Sequence, residues 1–272
     1  MRTFMRICFT MPFFHKRIAL NIYMRYRILL QFMVIGTQLS CGVGSDATAG
    51  TYTTAFPLTE NPLSDGTNWI NGGVAGLNWG NCASAGGVVQ GRQNNGSGPS
   101  YNDSTALLTG TWASNQTVTV TLFRGNVVES DYPEAEIRLR SSLSAHSCTG
   151  YEAMFSLRST SDRYISIARW NGPFGSFTGL ANVSGQYNIT NGSTLKASIV
   201  GSNITLYVDG KIVLTASDST YTTGTPGIGF DHNGPSSEDA GFGFSNFTAT
   251  DGITNGANQR PDPPTGLRVK GN

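Results

Sequence analysis

The chain has 272 residues, of which only 13% are charged and 34 are glycine, with a formal net charge of +1. Long surface helices are built from Ala, Glu, Lys, Leu and Arg; the abundance here of Thr, Ser, Asn, Gly and aromatics excludes a helical protein and suits strands joined by tight turns. The positive sign is misleading, because the first forty residues hold six basic residues and no acid, leaving 12 basic against 17 acidic residues beyond Cys41, a balance of −5. A mildly acidic domain excludes nucleic acid as the expected partner.

In chain order, residues 1–41 come first. Arg2, Arg6, Lys16, Arg17, Arg25 and Arg27 precede the apolar run "ILLQFMVIG" (28–36) and then "TQLSC". A basic region, a short apolar core and small residues before a cysteine predict an export signal, with Met24 a second candidate start. The apolar run is too short to span a bilayer. Cys41 is a candidate lipidation site, the alternative being cleavage nearby and release, so the expected location is secreted or anchored at the bacterial cell surface, with membrane contact only through such an anchor. Residues 42–50, "GVGSDATAG", predict a spacer. They lack the strand and helix that a phosphate-cradling glycine loop needs.

From Thr51 the pattern predicts strands near 51–56, 68–71, 86–90, 105–108, 116–124, 133–140, 151–158, 163–170, 194–200, 203–209, 211–216, 227–230 and 240–249. The clearest local signal is "NITLYVDGKIVLTA", two alternating runs about Asp209-Gly210, a type I′ hairpin turn. Short strands at roughly ten-residue intervals with Gly, Asn, Ser and Asp between them predict an all-β antiparallel sandwich over 51–251. Residues 252–272, which include "RPDPPTGLRVKGN", predict a Pro-rich linker or the start of a fibronectin-type-III-like module. Beyond the leader the cysteines are Cys82 and Cys148. In an oxidising compartment such a pair is expected to form a disulfide, stabilising by about 4 kcal/mol if unstrained; two buried thiols are the alternative.

Several phrases together carry a family resemblance: "FPLTENPLSDGTNWING", "EIRLRSS", "YISIARWNG", "LKASIVGSNITLYVDGKIV", "GTPGIGF" and "GFGFSNFTATD". Over about residues 51–251 the chain resembles bacterial exported members of the concanavalin A-like lectin/glucanase superfamily, LamG-like jelly rolls. The resemblance implies two antiparallel sheets of about six strands each, one concave, with the first and last strands adjacent. It also implies glycan binding on the concave face or its rim, and in some members hydrolysis or elimination of polysaccharide. A structural calcium is the one cofactor it suggests, although no dense carboxylate cluster marks the ligands. "DHNGPSSED" (231–239) lacks the spacing of a calcium loop and reads as a solvated loop.

The stretch "EAEIRLR" (134–140) alternates charged and apolar residues. If 133–140, 151–158 and 163–170 pair as a meander, one face collects Glu134, Glu136, Arg138, Arg140, Glu152, Arg158, Tyr164 and Trp170, and the core side holds Ile137, Leu139, Ala153, Phe155, Ile165 and Ile167. Arg forks can grip sugar hydroxyls or carboxylates, and Tyr and Trp offer flat faces to a pyranose. Glu136, Arg138, Arg140, Arg158, Tyr164 and Trp170 are therefore the candidate carbohydrate-binding residues, and polysaccharide or a surface glycan the candidate partner. The plainer alternative is cross-strand ion pairing on a solvated face.

Catalysis is the runner-up. Glucanases of this superfamily alternate three carboxylates on one strand, but Arg138 stands where the third would fall. A lyase would use Tyr164 as proton donor, with Glu136 and with Arg138 and Arg140 on an acidic sugar. A structural or adhesive module is a third reading. His146 and His232 are expected on surface loops, Trp69 and Trp79 as core plugs or turn anchors, and Trp112 between the sheets.

Overall fold

The computed structural model describes residues 50–93 and 103–252. The expected leader, the lipidation site at Cys41, the spacer short of Gly50 and the Pro-rich tail beyond Gly252 lie outside the described residues. The strands are β1 (Thr51–Thr54), β2 (Trp69–Asn71), β3 (Asn81–Ala85), β4 (Val88–Arg92), β5 (Ser104–Leu108), β6 (Gln116–Arg124), β7 (Glu134–Ser144) and β8 (Ser147–Ser156). They continue as β9 (Tyr164–Gly172), β10 (Phe177–Ser184), β11 (Thr194–Val200), β12 (Asn203–Val208), β13 (Lys211–Ser217), β14 (Thr225–Asp231) and β15 (Phe242–Asp251). Short 3-10 turns are the only helical elements among the described residues.

Two antiparallel sheets stack face to face. The eight-stranded one runs β13-β12-β11-β6-β15-β4-β3, with β1 also bonded to β15. Thr51 pairs with Thr250, so the first and last strands are neighbours. The seven-stranded sheet runs β10-β9-β8-β7-β14-β5-β2. Its β7-β8-β9 portion is the expected meander, with Ile137 opposite Ala153 and Ala153 opposite Ile167.

Strand alternation builds the core directly. Val118, Val120 and Leu122 of β6, Leu195, Ala197 and Ile199 of β11, and Phe247 and Ala249 of β15 pack in one cluster with Ile137, Leu139, Ala153, Phe155, Ile165, Ile167 and Ile228. All are 2% exposed or less. At about 25 cal/mol per Å² of apolar surface, this double layer is the main driving force for the fold. The hairpin turn has positive φ at both central residues, 49° at Asp209 and 77° at Gly210, as a type I′ turn requires.

Two strands escaped the sequence pattern. β3, "NCASA", is too small and polar to alternate visibly, and β10, "FTGLANVS", is an edge strand whose side chains stay largely exposed. Trp69 is a core plug, 5% exposed, with Phe247 edge-on at 5.0 Å. Trp112 corrects the expectation of burial between the sheets: it packs half-buried at the core's edge, its Nε1 donating to Thr109 O at 3.1 Å.

Candidate functional site

The outer face of the seven-stranded sheet, opposite the core, carries the site. Glu134, Glu136 and Arg138 alternate outward along β7, and register brings Glu152 of β8 opposite Arg138. On the other flank β14 sets Gly227 opposite Arg138, Gly229 opposite Glu136 and Asp231 opposite Glu134. A Cβ at Gly229 would lie 2.2 Å from Glu136 Oε2 and 3.1 Å from Arg138 Nη2, so the bare strand leaves the room in which these side chains lie.

Arg138 is wholly buried. Its Nη2 donates to Glu136 Oε2 at 2.6 Å and to Asp103 Oδ1 at 3.5 Å, and forms an ion pair with Glu152 Oε1 at 2.7 Å. The guanidinium carbon stands 4.9 Å from the ring centre of Trp79, a cation–π contact. Burial alone would pull its pKa down; Glu152, Glu136 and Asp103 more than reverse that, and the charge is permanent.

Above this floor opens a cavity of about 280 Å³ lined by Asp103, Glu134, Glu136, Glu152, Asp231, Asn233, Met154, Trp170, Phe174 and Phe177. Trp170 Nε1 donates to Glu152 Oε2 at 2.5 Å, and the ring meets Trp79 edge-on at 4.7 Å. Phe174 and Phe177 shelter Trp170 at 6.2 and 5.5 Å and are themselves 43% and 57% exposed. Five carboxylates thus share one wall with a single cation beneath them, and burial dominates the titration of Glu134, Asp231, Glu136 and Asp103. It pushes Glu134 up to about 8, against a hydrogen bond from the Tyr164 hydroxyl that opposes the rise. It pushes Asp231 up to about 6. Glu136 and Asp103 are also raised by burial, which the attraction of Arg138 does not cancel. Glu134 therefore holds its proton at neutral pH, chiefly because burial disfavours the charged form and secondarily because carboxylates surround it.

Measured against this geometry, the sequence-derived candidates divide. Glu136 and Trp170 face the cavity; Tyr164 stands behind Glu134. Arg138 corrects the expectation of a sugar-gripping fork, because it is sealed under its own carboxylates. Arg140 leaves the charged face altogether. The pairing of β7 slips between Leu139 and Ser142 against β8, and Arg140 takes a φ of 45°. Its side chain crosses to the far sheet's end, where Nε, Nη1 and Nη2 donate to Ser114 O, Tyr221 O and Gly201 O at 2.6, 2.9 and 2.7 Å. Glycines 150 and 224 make room for that bulge, each too close to Arg140 or Ser141 backbone for a Cβ. Arg158 lies beyond β8, over the Tyr132 ring at 4.0 Å and paired with Asp162. Trp170 is only 7% exposed, so the accessible aromatic surface belongs to Phe174 and Phe177.

Other expectations also change. Cys82 and Cys148 are free thiols, not a disulfide; Cys82 sits in the main core, and Cys148 in a separate cluster with Leu77, Trp79 and Trp170. His146 does sit in the tight turn between β7 and β8. His232, expected on the surface, is 4% exposed and bonds Asp239 Oδ1 through Nε2 at 3.0 Å, so 231–239 is not a simple solvated loop. Asp103, Asp231, Phe174 and Phe177 were missed by sequence reasoning. The alternation "PGIGF" in β14 was the one signal available for a face kept open beside β7.

A structural calcium finds no fitting site in this wall. Asp103, Glu136 and Glu152 carry ligand atoms within 4.8 Å of one another, the best-clustered metal-ligating group among the described residues. All three turn to Arg138 Nη2, and the guanidinium stands where the ion would.

Comparison with solved structures decides the architecture. The metal-free carbohydrate recognition domain of Emp46p aligns over 73% of this chain and 94% of that one, with 12% identity and a TM-score of 0.51. The fold is a concanavalin A-like jelly roll. The potassium-bound Emp46p domain gives the same picture, at 13% identity over 73% of this chain and 95% of that one, with a TM-score of 0.50. The carbohydrate-binding module CBM66 from Bacillus subtilis aligns at 17% identity over 70% of this chain and 95% of its own, with a TM-score of 0.46. No protein-family profile matches the jelly roll, and no curated protein matches it in sequence. At these identities the likeness speaks for the fold, one that carbohydrate recognition domains adopt.

Proposed function

We propose that the jelly roll is an exported carbohydrate-binding module that seats a glycan at the outer-face cavity of the seven-stranded sheet. The carrying observation is the exposed edge of Phe174 and Phe177 beside a hollow walled by carboxylates. Aromatic faces pack against the apolar faces of pyranose rings, and carboxylate oxygens accept hydrogen bonds from sugar hydroxyls. The wall is acidic and its one Arg is enclosed, so it offers no cation to a uronate, and the ligand class is a neutral or amine-bearing glycan. Polysaccharide at the cell surface is then the partner.

A glycan array probed with the full-length protein tests this. We expect retention on neutral or amine-bearing glycans, none on uronates, and a loss of at least about tenfold in the Phe174→Ala/Phe177→Ala variant, the size of one lost hot-spot contact. Absence of retention everywhere, retention indifferent to the double substitution, or a preference for uronates would overturn the reading.

One observation favours hydrolysis as a second reading. Glu134 retains its proton near neutral pH beside carboxylates in a cavity, the state a glycosidic general acid needs. Release of reducing ends from a bound glycan, abolished by Glu134→Gln, would establish it; binding without turnover would leave the module a lectin. The elimination reading loses its parts, since Arg138 is enclosed, Arg140 is elsewhere and the Tyr164 hydrogen is engaged by Glu134.

A further inference from the structure

Three carboxylates meet at one nitrogen. Asp103 precedes β5, Glu136 lies on β7 and Glu152 on β8, and their ligand atoms all fall within 4.8 Å of one another. Oxygens gathered this closely are what a calcium ion with bonds of about 2.3–2.6 Å assembles. Here Nη2 of Arg138 fills the centre, at 2.6, 2.7 and 3.5 Å from Glu136, Glu152 and Asp103. Trp79 packs against the guanidinium, and no part of the side chain reaches solvent.

We propose that Arg138 is a built-in cation: its Nη2 occupies the position of a divalent ion among Asp103, Glu136 and Glu152, so the site keeps its shape without metal and becomes a calcium site when the guanidinium is removed. A guanidinium tethered to β7 cannot dissociate, and it stays charged at every physiological pH. Were all three ionised, the carboxylates would exceed the one guanidinium by two charges, an excess that a dication in its place would reduce. A carboxylate cluster left without any cation would be strongly unfavourable in a buried wall, which gives calcium a reason to enter once Arg138 is gone. For the cavity above, the consequence is ligand binding that ignores chelators. That last clause rests on the glycan reading, whereas the substitution of a guanidinium for a metal does not.

The test uses the full-length protein with calcium and terbium as probes, read by thermal midpoint and by terbium emission sensitised through Trp79 and Trp170. The wild type is expected to melt within about 1 °C of the same midpoint in millimolar calcium and in chelator. Arg138→Ala is expected to gain about 5 °C or more at saturating calcium. It should also show saturable terbium emission, with apparent affinity falling at least tenfold when Glu136→Gln is added. Arg138→Lys keeps a charge on the strand and is expected to fold in chelator and to disregard calcium. A wild type whose midpoint falls on chelation in a manner Glu136→Gln abolishes would overturn the proposal. So would an Arg138→Ala chain that neither shifts nor emits, or that stays unfolded at saturating calcium, and so would a Lys variant that needs calcium. Glycan retention lost in chelator while the wild-type midpoint holds would break only the clause about the ligand.

Discussion

Trp170 and Glu152 are joined by one hydrogen bond, indole Nε1 to carboxylate Oε2 at 2.5 Å, which ties the aromatic edge of the cavity to its acidic floor. Glu152 in turn receives Arg138 at 2.7 Å. The orientation of the Trp170 ring, and through it of Phe174 and Phe177, is therefore set by an ion network two strands away. Trp170→Phe keeps an aromatic face and removes the donor, leaving Glu152 short of a partner. We expect it to weaken glycan retention several-fold, and Phe177→Ala to weaken it about tenfold with little change in thermal midpoint. Parallel glycan-array titrations and melting curves would show both.

Gly229 and Gly227 make a second, graded test. A methyl group at Gly229 meets Glu136 Oε2 at 2.2 Å, a side-chain end that can retreat only by leaving Arg138. At Gly227 it meets Ala106 O at 2.3 Å, a backbone atom within the sheet. Gly229→Ala should cost about 2 kcal/mol and Gly227→Ala more, since a ladder cannot yield as a carboxylate does. Denaturant midpoints of the two variants give the order.

The protonated carboxyls set a pH dependence. Folding raises Glu134 from 4.5 to about 8 and Asp231 from 3.8 to about 6, mainly by burial. The folded state then binds protons that the unfolded chain has released, so this contribution is fully present below the unfolded values and lost as pH rises through the folded ones. Unfolding free energy should fall from about pH 5 to about pH 8 and then level. Glu134→Gln should flatten the upper half of that slope, since an amide is neutral throughout and still accepts from Tyr164. Below pH 4 the lowered carboxyls of Glu129 and Asp218, held by Ser159 and by Thr220 and Tyr151, act in the opposite sense. Urea titrations between about pH 2 and 9 measure both arms.

Arg140 separates stability from recognition. Its three side-chain donors satisfy three backbone carbonyls at the far end of the sandwich. Arg140→Ala strands them and should destabilise the protein by roughly 2–4 kcal/mol. Glycan affinity of the folded fraction should not change, because the side chain reaches nothing in the cavity wall.

The cysteines offer the simplest check. Cys82 and Cys148 are 0% and 2% exposed, and burial pushes the Cys148 thiol up to about 12. Alkylating agents should modify neither in the native protein and both after denaturation, and reductant should leave the thermal midpoint where it is. A midpoint that falls with reductant would restore the disulfide.

Much of the fold was legible in residue order because a sandwich writes its core at period two. The alternating runs of β6, β7 and β12, and the Asp209-Gly210 turn, needed no tertiary information. β3 and β10 were illegible for the converse reason: the first is made of small polar residues and the second is an edge with little to bury. Within the site, strand alternation correctly placed Glu134, Glu136 and Arg138 on one face, and correctly grouped them with Glu152 and Trp170. It failed at Arg140, since a bulge shifts parity without leaving a mark in the side-chain pattern, the only hints being glycines on the neighbouring strands.

Sequence by itself determined the all-β class, the two-layer core and the side of β7 on which its acidic and basic residues begin, because each follows from local alternation and turn chemistry. Tertiary structure alone decided the fate of the charges. Asp103, just before β5, and Asp231, at the end of β14, arrive from segments distant in sequence, the bare face of β14 lets Arg138 lie flat, and Trp79 closes over it. Burial then turns a row that looked like a wet, sugar-gripping surface into a sealed ion network beneath an acidic, aromatic-edged cavity, since whether a charge is offered to a ligand or consumed by its neighbours depends on which strands the register sets beside it.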